Sequence, residues 1–378
     1  MAKCLITKLN GQVDNNNLYR IGELRIKFSK VTSPTDKSQG ISVRFIKDTK
    51  LEILGDGYFT DQALSANKGK TITVPANTQT KVYVSNSDLY LCIMDKYALA
   101  SLSFTPLLDD TTGYYAKNKE LNLEELKYST RISKLVIYSS KAYGDISSLK
   151  NLTNLSYTRM GSTDISGDIS SLKNFTNLTY LDIGFTNIFG NISVLSNMTN
   201  LTYLSADSTK ISGDVSSLER LVKIQFLMLN NVKLSGDVSA LGGMTSCLYL
   251  YVSGVSGNIS SFSRLTKVNT ISLTKSTISG DLAGIPSSCV YVDFAGSNTT
   301  LTWSSRPSSA NTFGVTGEPK IDNVDNMLKD LANCVSKITS SSPAFHKIIS
   351  ATGTRTSASD AAVQTLQGKG YTVSVTPA

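Results

Sequence analysis

A short string, G-[DN]-[ILV]-[SA], returns at Gly144, Gly167, Gly190, Gly213, Gly236, Gly257 and Gly280, in steps of 23, 23, 23, 23, 21 and 23 residues. A fixed period of this length means that one supersecondary unit is copied along the chain. The segments before each glycine keep the same frame. Leu178, Leu181, Ile183, Thr186 and Ile188 recur one period later as Leu201, Leu204, Ala206, Thr209 and Ile211. Ile224, Leu227, Leu229, Val232 and Leu234 repeat it again, as do Val268, Ile271, Leu273, Ser276 and Ile278. The middle pair of each set is separated by one residue, so a short strand points both into a core and the residues around them outward. Each unit leaves an apolar flank that only the next unit covers, so the copies fold as a stacked array.

The frame is LxxLxLxxNxL with Thr, Ser or Val mostly at the Asn position, and it resembles the leucine-rich repeat family. Its I/L-S-G-[DN]-[IV] segment is similar to the subtype of plant receptors, which implies a second strand per unit, although Ser or Ala stands where that subtype has proline. The resemblance covers residues 121–302. It implies a mainly β chain with about eight parallel strands on the concave face of a solenoid.

The flanks lack the period. Residues 1–105 show short alternating runs (LRIKFSKV, ISVRFI, TKLEILG, KTITVP, TKVYVS, LYLCIMD) at about 10-residue spacing, which predicts an anchoring β-sandwich. Residues 106–131 read as a linker with a short helical cap, so the solenoid with its N-terminal cap spans 106–302. Residues 303–378 read as an α/β cap: an amphipathic helix over Ile321–Cys334, a strand at FHKIIS, then loop, helix and the strand YTVSV. Ser357 or Ser359 is the expected N-cap of that last helix and Gly368 its stop. The layout, with its CLITKLNG start, SGDISSLxNLTNLTYLD repeats and GTRTSASDAAVQTLQGKGYTV ending, is similar to leucine-rich repeat proteins of gut Bacteroidales and their tailed phages. That likeness implies an adhesin or a virion component.

The candidate binding site is the outward side of the LxL strands. Beside the second leucine, successive units place Lys134, Tyr157, Tyr180, Tyr203, Phe226, Tyr249, Thr270 and Tyr291. Eight strands spaced by about 4.8 Å span about 34 Å, which suits an oligosaccharide or a protein surface. The aromatics Tyr157, Tyr180, Tyr203, Phe226, Tyr249 and Tyr291 are the expected ligand column, since stiff rings with polar tips serve both ligand classes. A self-stacked ladder that only stabilises the sheet is the other reading of the same residues. Arg159, Asp182, Asp207 and Asn230 in the neighbouring columns are expected to add polar contacts. The Asx column Asp145, Asp168, Asn191, Asp214, Asp237, Asn258 and Asp281 is expected to bond local backbone rather than a metal.

Catalytic patterns are missing. His346 is the chain's one histidine, with no Ser or Cys motif placed beside it, and Gly69-Lys70-Thr71 lacks the first glycine of a phosphate-binding loop. Gly55-Asp56-Gly57 is hairpin chemistry. Five scattered cysteines make neither a disulfide framework nor a zinc site. The nine N-x-[ST] sequons follow from the NLTNL turn. The net charge is +8, with ten Lys/Arg against four Asp/Glu in residues 1–50. Such a domain docks on an acidic partner, or its charge serves solubility alone. No run approaches the roughly 20 apolar residues of a membrane span, and no export signal is recognisable. The expectation is therefore a non-enzyme without cofactor or metal. It would be a tail fibre, baseplate or head-decoration protein of a virion, binding a bacterial surface glycan or protein. Its N-terminal domain would hold other virion or cell-surface proteins, without nucleic acid. A bacterial cell-surface adhesin is the alternative; a glycan-cleaving enzyme is the third reading.

Overall fold

The computed structural model describes residues 24–28, 40–55, 59–60, 71–84, 89–93, 98–104 and 119–377. The chain forms two compact units, Met1–Leu178 with Phe185–Ile188, and Thr179–Gly184 with Phe189–Ala378. Among the described residues no helix is long and apolar enough to cross a membrane. The Gly55-Asp56-Gly57 and Gly69-Lys70-Thr71 turns fall largely outside the described residues.

In the first unit, the alternating runs form two antiparallel groups. Leu89–Ile93 lies between Leu24–Phe28 and Thr49–Gly55, and Thr71–Val74 pairs with the latter. Gly40–Phe45 lies between Thr80–Val84 and Leu99–Ser103, and Phe59–Thr60 pairs with Thr80–Val84. One side of each is buried, through Leu24, Ile26 and Ile53 in the first and Ile41, Val43, Val82 and Leu102 in the second. Each group then changes direction at one edge. Leu99–Ser103 pairs in parallel with Lys134–Val136, and Lys119–Asn122 in parallel with Lys141–Asp145. The segment expected as a linker with a helical cap is thus, over its described part, a strand followed by the 3-10 helix Leu123–Leu126. Asn122 caps that helix by accepting from Glu124 N at 3.1 Å, in the role that Asp145 takes one period later.

The second unit repeats one coil. Tyr180, Leu181 and Asp182 lie beside Tyr203, Leu204 and Ser205. The same one-period offset continues through Phe226, Tyr249, Thr270 and Tyr291. Leu181, Leu204, Leu227, Leu250, Ile271 and Val292 are fully buried, each contributing about 2 kcal/mol of apolar burial. The second strand forms without the subtype's proline, as in Lys210–Asp214 beside Phe189–Asn191. The molecule is mainly β, and this coil is a leucine-rich repeat solenoid.

The G-[DN] pair has a mechanical reason. The Asx residue caps a 3-10 helix by accepting a backbone N–H two residues on, at 2.8 Å for Asp214 and 2.9 Å for Asn191. Its carboxyl or amide also fills the space beside the next unit's glycine. Gly213 has φ +131, and a Cβ there would stand 2.8 Å from Asn191 Oδ1. A side chain is barred by conformation and by space at once.

The parallel ladder outlasts the sequence period. Gly314–Thr316 pairs with Tyr291–Asp293, and Ile348–Thr352 and Thr372–Thr376 extend it. Helices α1 (Val324–Asn333) and α2 (Asp360–Gly368) occupy the expected places. The cap differs in detail. Thr356 accepts from Ala358 N, while the Ser359 hydroxyl donates to Asp325 Oδ1 at 2.6 Å and ties α2 to α1. Ser359 stands at the N-cap position of α2, one of the two expected, but its side chain makes no cap bond to that helix.

Candidate functional site

The alternation that buries Leu181 and Leu204 turns Tyr180, Tyr203, Phe226 and Tyr249 outward on adjacent strands of the second unit. All four are half-buried. Their rings are stacked on one another. Tyr180 and Tyr203 have centroids 4.1 Å apart at 8°, and Phe226 and Tyr249 lie 5.3 Å apart at 11°. Tyr203 and Phe226 are tilted, at 5.7 Å and 35°. The Tyr203 hydroxyl reaches Met228 Sδ at 3.6 Å. Stacking covers ring faces and presents edges and hydroxyls to solvent. The column is thus a stacked ladder, and the surface it presents is mostly ring edges.

At Thr270, itself fully buried, the ring column is interrupted, and Tyr251 sets a ring 6.5 Å from Tyr249 and parallel to it. Tyr291 then differs from the other four. It is only 6% exposed, because Phe345 and His346 lie against its ring, each with centroids 4.9 Å away. Those two residues belong to a turn that crosses Gly314, where a Cβ would meet His346 O at 2.5 Å. They come from outside the repeat, so no register could assign them to this column. Tyr251 was also absent from the expected set, although its outward position is given by the frame.

The polar columns are held as firmly. Asp182 is 5% exposed and accepts from Gly184 N at 3.3 Å. Asp207 is half-buried and accepts from the Ser208 hydroxyl at 3.1 Å. Burial pushes the Asp207 carboxyl above the usual range, and the bonds from Ser208 and Asn231 oppose this. Asn230 Oδ1 is buried with no hydrogen-bond partner. Asp293 carries the densest network. Its Oδ1 accepts from Thr316 Oγ1 at 2.7 Å and from Ala295 N at 3.1 Å, and its Oδ2 from Ser272 Oγ at 3.2 Å. The Tyr291 hydroxyl joins Thr316 Oγ1 at 2.5 Å, and burial pushes that phenol up to about 12.

The remaining expected residues stand in the first unit, on Lys134–Val136 and Tyr157–Arg159. There the Lys134 ammonium sits 4.8 Å from the centre of the Tyr157 ring, and the Arg159 guanidinium 3.9 Å from that of Tyr138. Several reactive groups among the described residues are shielded. The buried thiols of Cys247 and Cys289 are pushed up to about 12 by desolvation. His346 is pulled down by the same cause. Among the described residues no group of three His, Cys, Asp or Glu side chains is placed to hold a metal ion.

No family model matches the chain. No curated protein matches it either. Solved structures do. The leucine-rich repeat ectodomain of a plant membrane receptor kinase from Arabidopsis thaliana aligns over 67% of this chain and 30% of its own, at 19% identity and a TM-score of 0.47. An internalin from Listeria monocytogenes aligns over 67% of this chain and 78% of its own, at 19% identity and 0.46. A leucine-rich repeat protein of Leptospira interrogans covers 57% of both chains at 13% identity and 0.44. The chain thus spans less than a third of the plant ectodomain's length.

Proposed function

We propose that the protein is a non-catalytic recognition protein whose LxL sheet face in the second unit binds a bacterial surface protein or glycan. The observation that carries this is the run of half-exposed rings at Tyr180, Tyr203, Phe226 and Tyr249 on a rigid, fully buried frame. Large aromatic area held in place before binding loses little side-chain entropy on contact, which is what recognition surfaces exploit. Its setting is a phage virion, as a tail fibre, baseplate or head decoration. The likeness of the repeats and of the closing segment to leucine-rich repeat proteins of tailed phages supports that setting. In this reading residues 1–105 hold the molecule to other virion proteins, with the solenoid (106–302) and its C-terminal cap (303–378) presenting the binding face. The test is retention on host bacterial cells of the protein carrying Tyr180→Ala, Tyr203→Ala and Phe226→Ala together. Retention is expected to fall at least tenfold while circular dichroism keeps its β signature. Undiminished retention of the folded variant overturns the assignment of this face.

A further inference from the structure

The second unit's face has a charge character opposite to that of the chain. Net charge is +8, yet the three outward columns on the strands from Tyr180 to Asp293 contain no Lys, Arg or His and hold Asp182, Asp207 and Asp293. Their charged groups are all carboxylates. Asp293 is fixed by three neutral donors and makes no ion pair among the described residues. A carboxylate has about four acceptor directions, so one on Oδ2 is still open. Asp207 makes no ion pair among the described residues either. A flanking cation, Lys275, directs its ammonium to Asn231 Oδ1 at 3.2 Å. Asn230 Oδ1, one residue before it, is buried and has no hydrogen-bond partner.

The first unit shows what these columns receive when the chain supplies it. Lys134 and Arg159 lie over Tyr157 and Tyr138 on equivalent strand positions. Stacked rings add a second argument. A sugar ring packs on an open aromatic face, whereas Tyr180, Tyr203, Phe226 and Tyr249 spend theirs on each other. Ring edges carry the positive side of the quadrupole, so a cation seated here goes to the carboxylates and lays its aliphatic stem along the rings.

We propose that the ligand of this face is an extended, basic protein segment, whose lysine or arginine side chains are received by Asp207 and Asp293. This rests on the binding role assigned to the face above and narrows its ligand class. Asp207 follows the strand Tyr203–Ser205 and Asp293 ends Tyr291–Asp293, four strands on. Four spacings of about 4.8 Å make about 19 Å, and an extended chain covers that in about six residues at about 3.3 Å each. The segment therefore carries two basic residues about six positions apart.

Fluorescence anisotropy on the full chain tests this with labelled 14-residue Gly/Ser/Leu peptides carrying two arginines at spacings from two to ten. The same peptides with glutamate for arginine, and a neutral heptasaccharide, serve as competing chemistries. Affinity is expected to peak near a spacing of six and to fall at least tenfold in Asp293→Asn and in Asp207→Asn. It should also weaken about tenfold between 50 and 500 mM salt. Equal binding of the glutamate peptides, binding by the heptasaccharide alone, or indifference to both substitutions in folded variants overturns the proposal. So does an absence of binding by every arginine peptide. If the triple alanine variant still loses host cells while the arginine peptides fail, the face stands as the binding site and only its ligand class is wrong.

Discussion

In the first unit the outward column runs from Lys134 to Tyr157, and Arg159 lies on Tyr138, so each tyrosine there has a cation of the chain's own. In the second unit the corresponding column runs through Tyr180, Tyr203, Phe226 and Tyr249, which stack on one another beside carboxylates with no cation in the three columns. Inward, the two units are alike. Leu135 and Leu204 occupy the same place in the frame and both are fully buried. The coil is therefore held chiefly by the buried side, and the outward side differs between units at a smaller cost.

The largest expected effects fall on the shared buried side and do not distinguish the units. Leu135→Ala and Leu204→Ala should each destabilise by about 3 kcal/mol, the range for a leucine cavity that collapses only in part. Urea unfolding checks this, and a difference above about 2 kcal/mol between the two would break the claim of a common frame. Next comes the glycine column. Gly213→Ala should cost about 2 kcal/mol, from its left-handed backbone and from the Cβ driven against Asn191 Oδ1. Asn191→Ala in the same chain should return part of that loss, since it removes the obstacle along with the cap.

The sequence carried the buried side well, because a period of 23 residues writes inward and outward positions directly. Even the Asx column's service to local backbone followed from residue type. The unit at Asn122 stayed hidden because Leu121 stands where the glycine recurs and Glu124-Glu125 replace the serine pair, although Asn122 lies one period before Asp145. Gly314–Thr316 was hidden for another reason. Its place in the ladder is set by pairing with Tyr291–Asp293, and a glycine sits where the aromatic column predicts a ring. The same glycine admits the Phe345–His346 turn that buries Tyr291, a contact between segments with no common register. The candidate site was thus legible in its columns and in the stacked ladder they form, while its closed end arises from tertiary packing.

A smaller effect separates the outward columns. Tyr203→Ala removes a ring stacked on Tyr180 and tilted on Phe226, and should cost about 1–2 kcal/mol. Lys134→Ala in the first unit removes one half-exposed cation–π contact and should cost below about 1 kcal/mol. Thermal melts of the two variants rank them. A reversed order would mean that the first unit leans on its cations more than the second on its rings.

The smallest effect is a difference of sign. In the first unit Glu124 accepts from Ser148 Oγ at 2.6 Å, and that bond, helped by Lys127, holds its carboxyl below the usual range. In the second unit burial holds Asp207 above it. A depressed carboxyl contributes stability above its unfolded pKa and loses it as pH falls through the folded value. Glu124→Gln should therefore weaken the fold near pH 7 and become neutral in strong acid. A raised carboxyl does the reverse. Its charged form opposes folding at neutral pH, and that opposition fades as pH drops through the raised folded value toward about 3.9. Asp207→Asn should thus stabilise the protein near pH 7, with no difference left below about pH 4. Both groups are largely solvent-screened, so shifts of a few tenths of a kcal/mol are expected. Urea midpoints from pH 3 to pH 8 resolve the signs. Two shifts of the same sign would show that Asp207 already has a cationic partner, and would remove the contrast from which a basic ligand was inferred.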